Sequence, residues 1–309
     1  MKKVFIDGSS GTTGLRIRER LAERGDIELV TVPYEMRHDQ ETRKKAMEEA
    51  DIVFLCLPDD AAREAAAFAP EDTVIIDTST AHRIDPDWTY GMAELSGQKE
   101  KIRNAKRIAN PGCHASGFIA LVQPLIEAGI VKTDALLTCF SLTGYSGGGK
   151  KMIAQYEEGN DPLLEAPRMY GLTQKHKHLP EMRVVCGLQN DPVFCPVVAD
   201  YYSGMETVVS LFGSEINGTL EDIKNVFRKK YADGLIRYAE SADESGFMSA
   251  SSCRDTDIME VSVYGNEDRI LLVSRFDNLG KGASGAAIQN MNIVIGADET
   301  EGLVTGGMR

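Results

Sequence analysis

A short apolar run from Lys3 to Ile6 stops at Asp7-Gly8. Gly8-Ser9-Ser10-Gly11-Thr12-Thr13-Gly14 follows, and then a helix-patterned segment from Leu15 to Arg24. Strand, glycine turn and helix in that order leave few folds open. They form the first unit of an open parallel sheet, and the turn is where backbone amides at a helix N-terminus meet a phosphate. The glycines fall at 8, 11 and 14, giving GxxGxxG and not the commoner GxGxxG. The physics is unchanged, because no side chain stands between the backbone and a pyrophosphate. Gly8, Ser10, Gly11, Thr12, Thr13 and Gly14 are therefore candidate dinucleotide-binding residues.

The alternation continues. A strand at Ile27 to Val32 leads to a charged helix near Gln40–Glu49, a strand at Ile52–Leu57, a helix at Ala61–Phe68, and strands at Thr73–Asp77 and Arg107–Ala109. This rhythm predicts an α/β fold with a Rossmann-type doubly wound parallel sheet. Glu35 and Arg37 follow the second strand and argue in opposite directions. An acidic residue there binds the ribose 2′-hydroxyl of NAD, whereas an arginine accommodates the 2′-phosphate of NADP. The turn Thr78-Ser79-Thr80 stands at a strand's C-terminal end, where open α/β sheets bind ligands, so Ser79 joins the cofactor candidates. His82-Arg83 reads as solvent-facing or as a structural pairing.

At Asn110-Pro111-Gly112-Cys113-His114 the pattern changes. Pro111 and Gly112 break the strand, and from Phe118 an apolar stretch at helical spacing runs on toward Gly129. Cys113 thus falls at the first turn of a helix. Unpaired N–H groups and the positive end of the helix dipole favour a thiolate there, which makes the cysteine a candidate nucleophile.

Beyond it, strand-like runs recur at Asp134–Leu142, Arg183–Gly187, Val193–Asp200, Thr207–Phe212, Met259–Tyr264 and Ile270–Phe276, with one clear helix at Leu220–Tyr231. A second α+β domain on a mixed or antiparallel sheet is expected at 113–278. Residues 1–112 are expected to form the cofactor domain, completed by a C-terminal helix at 279–309.

Three stretches of the second half carry chemistry. Gly144-Tyr145-Ser146-Gly147-Gly148-Gly149-Lys150-Lys151 misses the phosphate loop GxxxxGK[ST] because Lys151 stands where a hydroxyl must hold magnesium. It reads instead as a glycine loop offering amides and a lysine to a substrate anion, or as a plain turn. Lys175-His176-Lys177-His178-Leu179-Pro180-Glu181 places two histidines two residues apart. Pro180 disfavours helix at Leu179, so an extended segment with both imidazoles on one face is expected, as an acid/base partner for the cysteine or a solvated basic loop. A metal site is not expected, since two histidines lack a third patterned ligand. Finally, residues 278–292 open with glycines and continue as a helix crowded with Gly, Ala and Ser, which permits close approach to a backbone or a flat ring.

The totals narrow the function further. A formal net charge of -13 on 309 residues argues against non-specific nucleic-acid binding. Six cysteines without a CxxC pair read as reduced residues of a cytosolic protein. No apolar run approaches transmembrane length, and Met1-Lys2-Lys3 leads straight into the first strand, so no membrane partner is expected and the cytoplasm is the expected compartment.

Taken together, GxxGxxG, Tyr90-Gly91-x-x-Glu94-Leu95, Asn110-Pro111-Gly112-Cys113, His176-Lys177-His178-x-Pro180-Glu181 and Gly280-Lys281-Gly282-Ala283-x-Gly285-x-Ala287-x-Gln289-Asn290-Met291-Asn292 resemble the N-acetyl-gamma-glutamyl-phosphate reductase family, in its shorter, type 2 form. The likeness spans nearly the whole chain. His114 follows the cysteine where the longer form more often has tyrosine, which fits the short form. The resemblance implies NADPH and a place in arginine biosynthesis; a homodimer or homotetramer is expected because the second domain's strands exceed what one helix face can cover. It also implies that Cys113 attacks an acyl phosphate to form a thioester that the cofactor then reduces. His178 is the expected acid/base, with His176 second, and backbone amides at the start of the cysteine helix are the expected oxyanion donors. Gly282 and Asn290 join Arg37 and Ser79 as cofactor candidates. Asn110, Ser146, Gly147, Lys150 and Arg168 are the substrate candidates. Two alternatives stay open: the related aspartate-semialdehyde dehydrogenase, whose histidine motif is not found here, and a non-catalytic dinucleotide sensor.

Overall fold

The computed structural model describes residues 1–306, and the chain divides into two compact units. The first holds Met1–Gly112 and Ala283–Leu303, the second Cys113–Gly282 and the chain from Val304. Residues 307–309, the end of the segment expected to complete the cofactor domain, lie outside the described residues.

The first unit runs β1 (Lys2–Asp7), α1 (Thr12–Ala22), β2 (Ile27–Val30), α2 (Gln40–Glu49), β3 (Ile52–Leu55), α3 (Asp59–Phe68), β4 (Val74–Asp77), β5 (Thr89–Tyr90), α4 (Gln98–Asn104) and β6 (Arg107–Ala109). All strand pairs are parallel, in the order β2-β1-β3-β4-β6-β5. The central strands are apolar on both faces because each face meets helices. Val4, Ile6, Phe54 and Ile76 pack with Ile17 and Leu21 of α1, whereas Phe5, Val53, Leu55 and Ile75 pack with Ala46, Met47 and Ala65 on the other side.

The second unit opens with α5 (Cys113–Glu127), followed by β7 (Thr138–Gly144), α6 (Gly149–Glu158), β8 (Arg168–Met169), α7 (His178–Cys186), β9 (Val193–Ala199), β10 (Met205–Phe212), α8 (Leu220–Lys230), β11 (Ile236–Tyr238), β12 (Met259–Gly265) and β13 (Arg269–Phe276). Its mixed sheet has the order β11-β12-β13-β10-β7-β9-β8. Helix α5 is buried almost all round, as its largely apolar sequence requires. Gly117 lets it sit close on the sheet: a Cβ there would lie 2.5 Å from Thr207 Oγ1 and 2.9 Å from Ser274 Oγ.

The chain then returns to the first unit as α9 (Gly285–Ile295), whose Ala287, Ile288 and Met291 fill the layer beside α1. Gly296, in the left-handed region at φ 73°, caps α9, so the helix ends well before residue 309.

Two expectations are corrected. Residues 183–187 are not a strand: they complete α7, whose buried Leu179, Met182 and Cys186 recur at helical spacing, a period hidden by the β-branched pair Val184-Val185. Nor is the segment around the histidines extended throughout, because α7 starts at His178. Pro180 fits its first turn, where an N–H has no intrahelical acceptor to lose. Helix α6 also escapes the periodicity argument, having no buried residue to mark a face.

Candidate active site

Cys113 is the first residue of α5, a helix with no acidic residue in its first turn, so the positive end of the helix dipole is not offset there by the helix's own side chains. The thiol is half-buried. By contrast, burial drives the thiols of Cys139 and Cys186 far up and those of Cys56 and Cys253 to about 12 and about 11, which leaves them inert at neutral pH. Gly282 lies behind the nucleophile in the same unit. A Cβ on it would stand 3.0 Å from Cys113 Cβ and 3.2 Å from Asp277 O and from Phe276 Cε2.

Three imidazoles gather at His114, the residue that follows the cysteine. The rings of His176 and His178 lie 4.8 Å apart, and that of His114 lies 5.7 and 5.6 Å from them. Phe194 closes the cluster from the β9 side. The backbone N–H of His178 donates to Nδ1 of His176 at 3.2 Å. His114 is buried, with Nδ1 2.7 Å from Ser141 Oγ and Nε2 2.7 Å from the Tyr170 hydroxyl. Burial, with His176 second, lowers its pKa to about 3, so this ring stays neutral. Sequence reasoning gave neither His114 nor Tyr170 a role in the site. The histidine stands beside the nucleophile, but nothing local marks a tyrosine 56 residues downstream as its partner.

Of the substrate candidates, Ser146, Gly147 and Lys150 share one stretch, a turn of 3-10 helix at Tyr145–Gly148 running into α6. Ser146 is buried and its Oγ accepts from Asn278 Nδ2 at 3.0 Å, whereas Gly147 and Lys150 are exposed. Arg168 on β8 docks on α6, donating from Nη2 to the Tyr156 hydroxyl at 3.0 Å. Its Nε is buried with no hydrogen-bond partner. Asn110 lies in the first unit, donating to Ala283 O at 3.0 Å and accepting from Asn290 Nδ2 at 3.2 Å.

The first unit has the shape a dinucleotide needs. Gly8 adopts φ +89°, and a Cβ there would sit 2.2 Å from Cys56 O. One on Gly14 would sit 2.5 Å from Gly8 O. Gly11 is the N-cap of α1 and supplies no side-chain cap, so the first-turn amides, including those near Thr12 and Thr13, carry no side-chain oxygen. Ser10 is exposed at the tip of the turn.

Arg37 lies 3.7 Å over the Tyr34 ring and donates from Nη1 to Tyr34 O at 2.7 Å. Ser79 is buried, and its hydroxyl donates to Asp77 Oδ2 at 2.7 Å. His82 Nδ1 meets the same carboxylate oxygen at 2.7 Å, with the ring stacked on Trp88 at 4.0 Å, a structural pairing. Asn290 is fully buried; Nδ2 donates to Gly91 O at 2.9 Å while Oδ1 has no partner, an acceptor left over for a ligand amide. These residues fit a nicotinamide dinucleotide.

Comparisons with known proteins identify the family and the fold. Residues 3–105 match the family model described as semialdehyde dehydrogenase, NAD binding domain, and residues 113–278 the one described as semialdehyde dehydrogenase, dimerisation domain. The N-acetyl-gamma-glutamyl-phosphate reductase of Brucella ovis is 45% identical over 306 residues, covering 95% of this chain and 99% of that protein. Among solved structures, an aspartate semialdehyde dehydrogenase II from Vibrio cholerae superposes with a TM-score of 0.72 at 18% identity, covering 96% of this chain and 98% of that one. The Candida albicans aspartate semialdehyde dehydrogenase with NADP gives a TM-score of 0.67 at 16% identity over the same shares. At those identities the likeness is one of fold. Among the described residues no helix is long and apolar enough to cross a membrane.

Proposed function

The chain belongs to the N-acetyl-gamma-glutamyl-phosphate reductase family, and from that premise we propose that it reduces N-acetyl-γ-glutamyl phosphate to the 5-semialdehyde, with NADPH, through a thioester on Cys113. The observation that carries this reading is a half-buried cysteine at the start of α5, with the His176 and His178 rings 5.7 and 5.6 Å from the ring of the next residue, His114. The Cys113 thiolate attacks the γ-carbonyl, the C–S bond forms, and the C–O bond to phosphate breaks, releasing inorganic phosphate. Bound NADPH supplies the hydride that reduces the thioester carbonyl. The amides of the first turn of α5 stabilise the oxyanion, a histidine protonates it, and cleavage of the C–S bond then frees the aldehyde and the thiol.

His176 is the better placed of the pair to exchange that proton. It is half-buried, and because Nδ1 accepts the His178 N–H, its proton in the neutral ring sits on Nε2. His178, buried in the first turn of α7, fixes it through the backbone. Arg168 is the candidate for the substrate carboxylate, since a buried guanidinium nitrogen without a partner is costly until an anion meets it. Gly147 and Lys150 lie on the neighbouring segment and Asn110 remains a candidate contact. NADPH is preferred to NADH because Arg37, braced on Tyr34, is positioned after β2 to take a 2′-phosphate. The Asn290 Oδ1 is suited to the nicotinamide amide. Thiolate chemistry of this kind needs a reducing compartment, the cytoplasm.

The second unit's sheet is the dimer surface in this reading. Helix α5 covers one face. On the other, strand register brings Val193, Phe140, Phe212 and Leu271 to the same side, exposed by 55%, 42%, 64% and 42%. An apolar sheet face of this kind is covered in solution by a second copy. The whole proposal is tested by following NADPH oxidation against a panel of acyl phosphates. One phosphate released per NADPH consumed with N-acetyl-γ-glutamyl phosphate is expected, and turnover of aspartyl phosphate in its place would overturn it.

A further inference from the structure

His114 takes no part in the chemistry above, yet it is 3% exposed beside the nucleophile with both ring nitrogens engaged. It is the middle of a chain of four side chains from four elements or loops. Thr207 Oγ1 on β10 lies 3.0 Å from Ser141 Oγ on β7, Ser141 Oγ lies 2.7 Å from His114 Nδ1, and His114 Nε2 lies 2.7 Å from the Tyr170 hydroxyl. Three hydroxyls and one neutral imidazole bring four hydrogens to three links, so one hydrogen is left over at one end.

The direction of the chain decides which end. If Tyr170 donated inward, each link would pass its hydrogen on and the spare one would sit on Thr207. That residue is 0% exposed and, among the described residues, its hydroxyl meets no partner besides Ser141, so the hydrogen would be stranded in the core. If Thr207 donates to Ser141, Ser141 to Nδ1 and the Nε2–H to the tyrosine oxygen, every buried hydrogen finds an acceptor. The spare one then belongs to Tyr170, which is only half-buried. We propose that His114 is a positioning residue that, as its Nε2–H tautomer, holds the Tyr170 oxygen and turns the phenolic hydrogen toward the charge at Cys113.

The surroundings keep both ends in the required form. His114 stays uncharged because burial, with His176 second, opposes its protonation. Tyr170 stays protonated because burial and, after it, the charge of the Cys113 thiolate both raise its pKa. The Tyr170 hydroxyl is hydrogen-bonded to His114, the residue directly after Cys113, which brings it to the same helix start. The inference rests on the reductase reading only in calling the Cys113 centre the reacting one.

Two measurements test it. In the uniformly 15N-labelled protein, long-range proton–nitrogen spectra of His114 are expected to show the Nε2–H tautomer, unchanged across neutral pH; the Nδ1–H tautomer would overturn the proposal. This arm needs no turnover, so it stands or falls apart from the reductase reading. In the second, Tyr170→Phe and His114→Asn, which keeps only the contact to Ser141, are each expected to lower kcat roughly 10- to 100-fold with KM little changed. The double variant is expected to be no worse than either single one. His114→Gln, whose amide reaches the Nε2 position, restores most of the loss. Wild-type kcat in Tyr170→Phe, or losses that multiply in the double variant, would reverse the conclusion. Should His114→Asn fail to fold, Tyr170→Phe and the spectrum decide alone.

Discussion

The backbone N–H of His178 reaches Nδ1 of His176 at 3.2 Å, so one histidine of the pair sets the tautomer of the other. A backbone amide cannot turn away or lose its proton, and a ring held by it presents Nε2 in a constant direction. His176→Asn is therefore expected to lower kcat by roughly two to four orders of magnitude, the usual loss when a general acid/base is removed. His178→Asn leaves the amide in place and is expected to cost much less. A pH–rate profile of both variants decides, because only the true acid/base removes an ionisation from it; the reverse ranking would transfer the role to His178.

Cys113→Ser keeps the shape of the α5 N-terminus but replaces a thiol by an alcohol that stays protonated at neutral pH. Turnover is expected to fall almost to nothing, while thermal stability and cofactor binding, measured by calorimetry, stay near wild type. Substantial residual activity would remove the thioester route.

Gly282 backs the nucleophile so closely that a methyl group must push something aside. Gly282→Ala is expected to lose about 1–3 kcal/mol of stability through overpacking and to lower kcat roughly tenfold by displacing the sulfur. Denaturant midpoints and steady-state rates check it together. A variant as active and stable as wild type would mean that the cysteine's surroundings yield more easily than the 3.0 Å contact implies.

Arg37 has its guanidinium carbon 3.7 Å over the Tyr34 ring. Arg37→Ala is expected to raise KM for NADPH about 10- to 100-fold, as loss of charge-assisted hydrogen bonds does, with KM for NADH little altered. Equal effects on both cofactors would shift the ribose contact to Glu35.

Phe212 stands 64% exposed on the uncovered sheet face. Phe212→Asp buries a charge wherever that face meets a copy of itself, so light scattering is expected to report a smaller species than wild type. An unchanged mass would place the subunit contact elsewhere.

What the sequence settled by itself is what depends on neighbours a few residues away. Glycines at 8, 11 and 14 between a strand and a helix specify a tight strand-to-helix turn, because backbone freedom and helix ends are local matters. Pro111-Gly112 before an apolar helix puts Cys113 at its start for the same reason, and short strands alternating with helices commit the first 109 residues to a parallel sheet.

Tertiary structure decided everything that requires distant residues to converge. Thr207, Ser141, His114 and Tyr170 share no local pattern, and only the crossovers among β7, β8 and β10 bring their polar atoms within 3.0 Å of one another in line. The period-two register likewise decides that Val193, Phe140, Phe212 and Leu271 share a face, since slipping one strand by a residue would scatter them. Even the His176–His178 pair belongs here. Pro180 weakens a helix in isolation, but the burial of Leu179, Met182 and Cys186 starts α7 at His178 and so turns an amide toward the neighbouring ring. Local propensity is worth tenths of a kcal/mol per residue, whereas burying three such side chains is worth several, and the packed arrangement prevails.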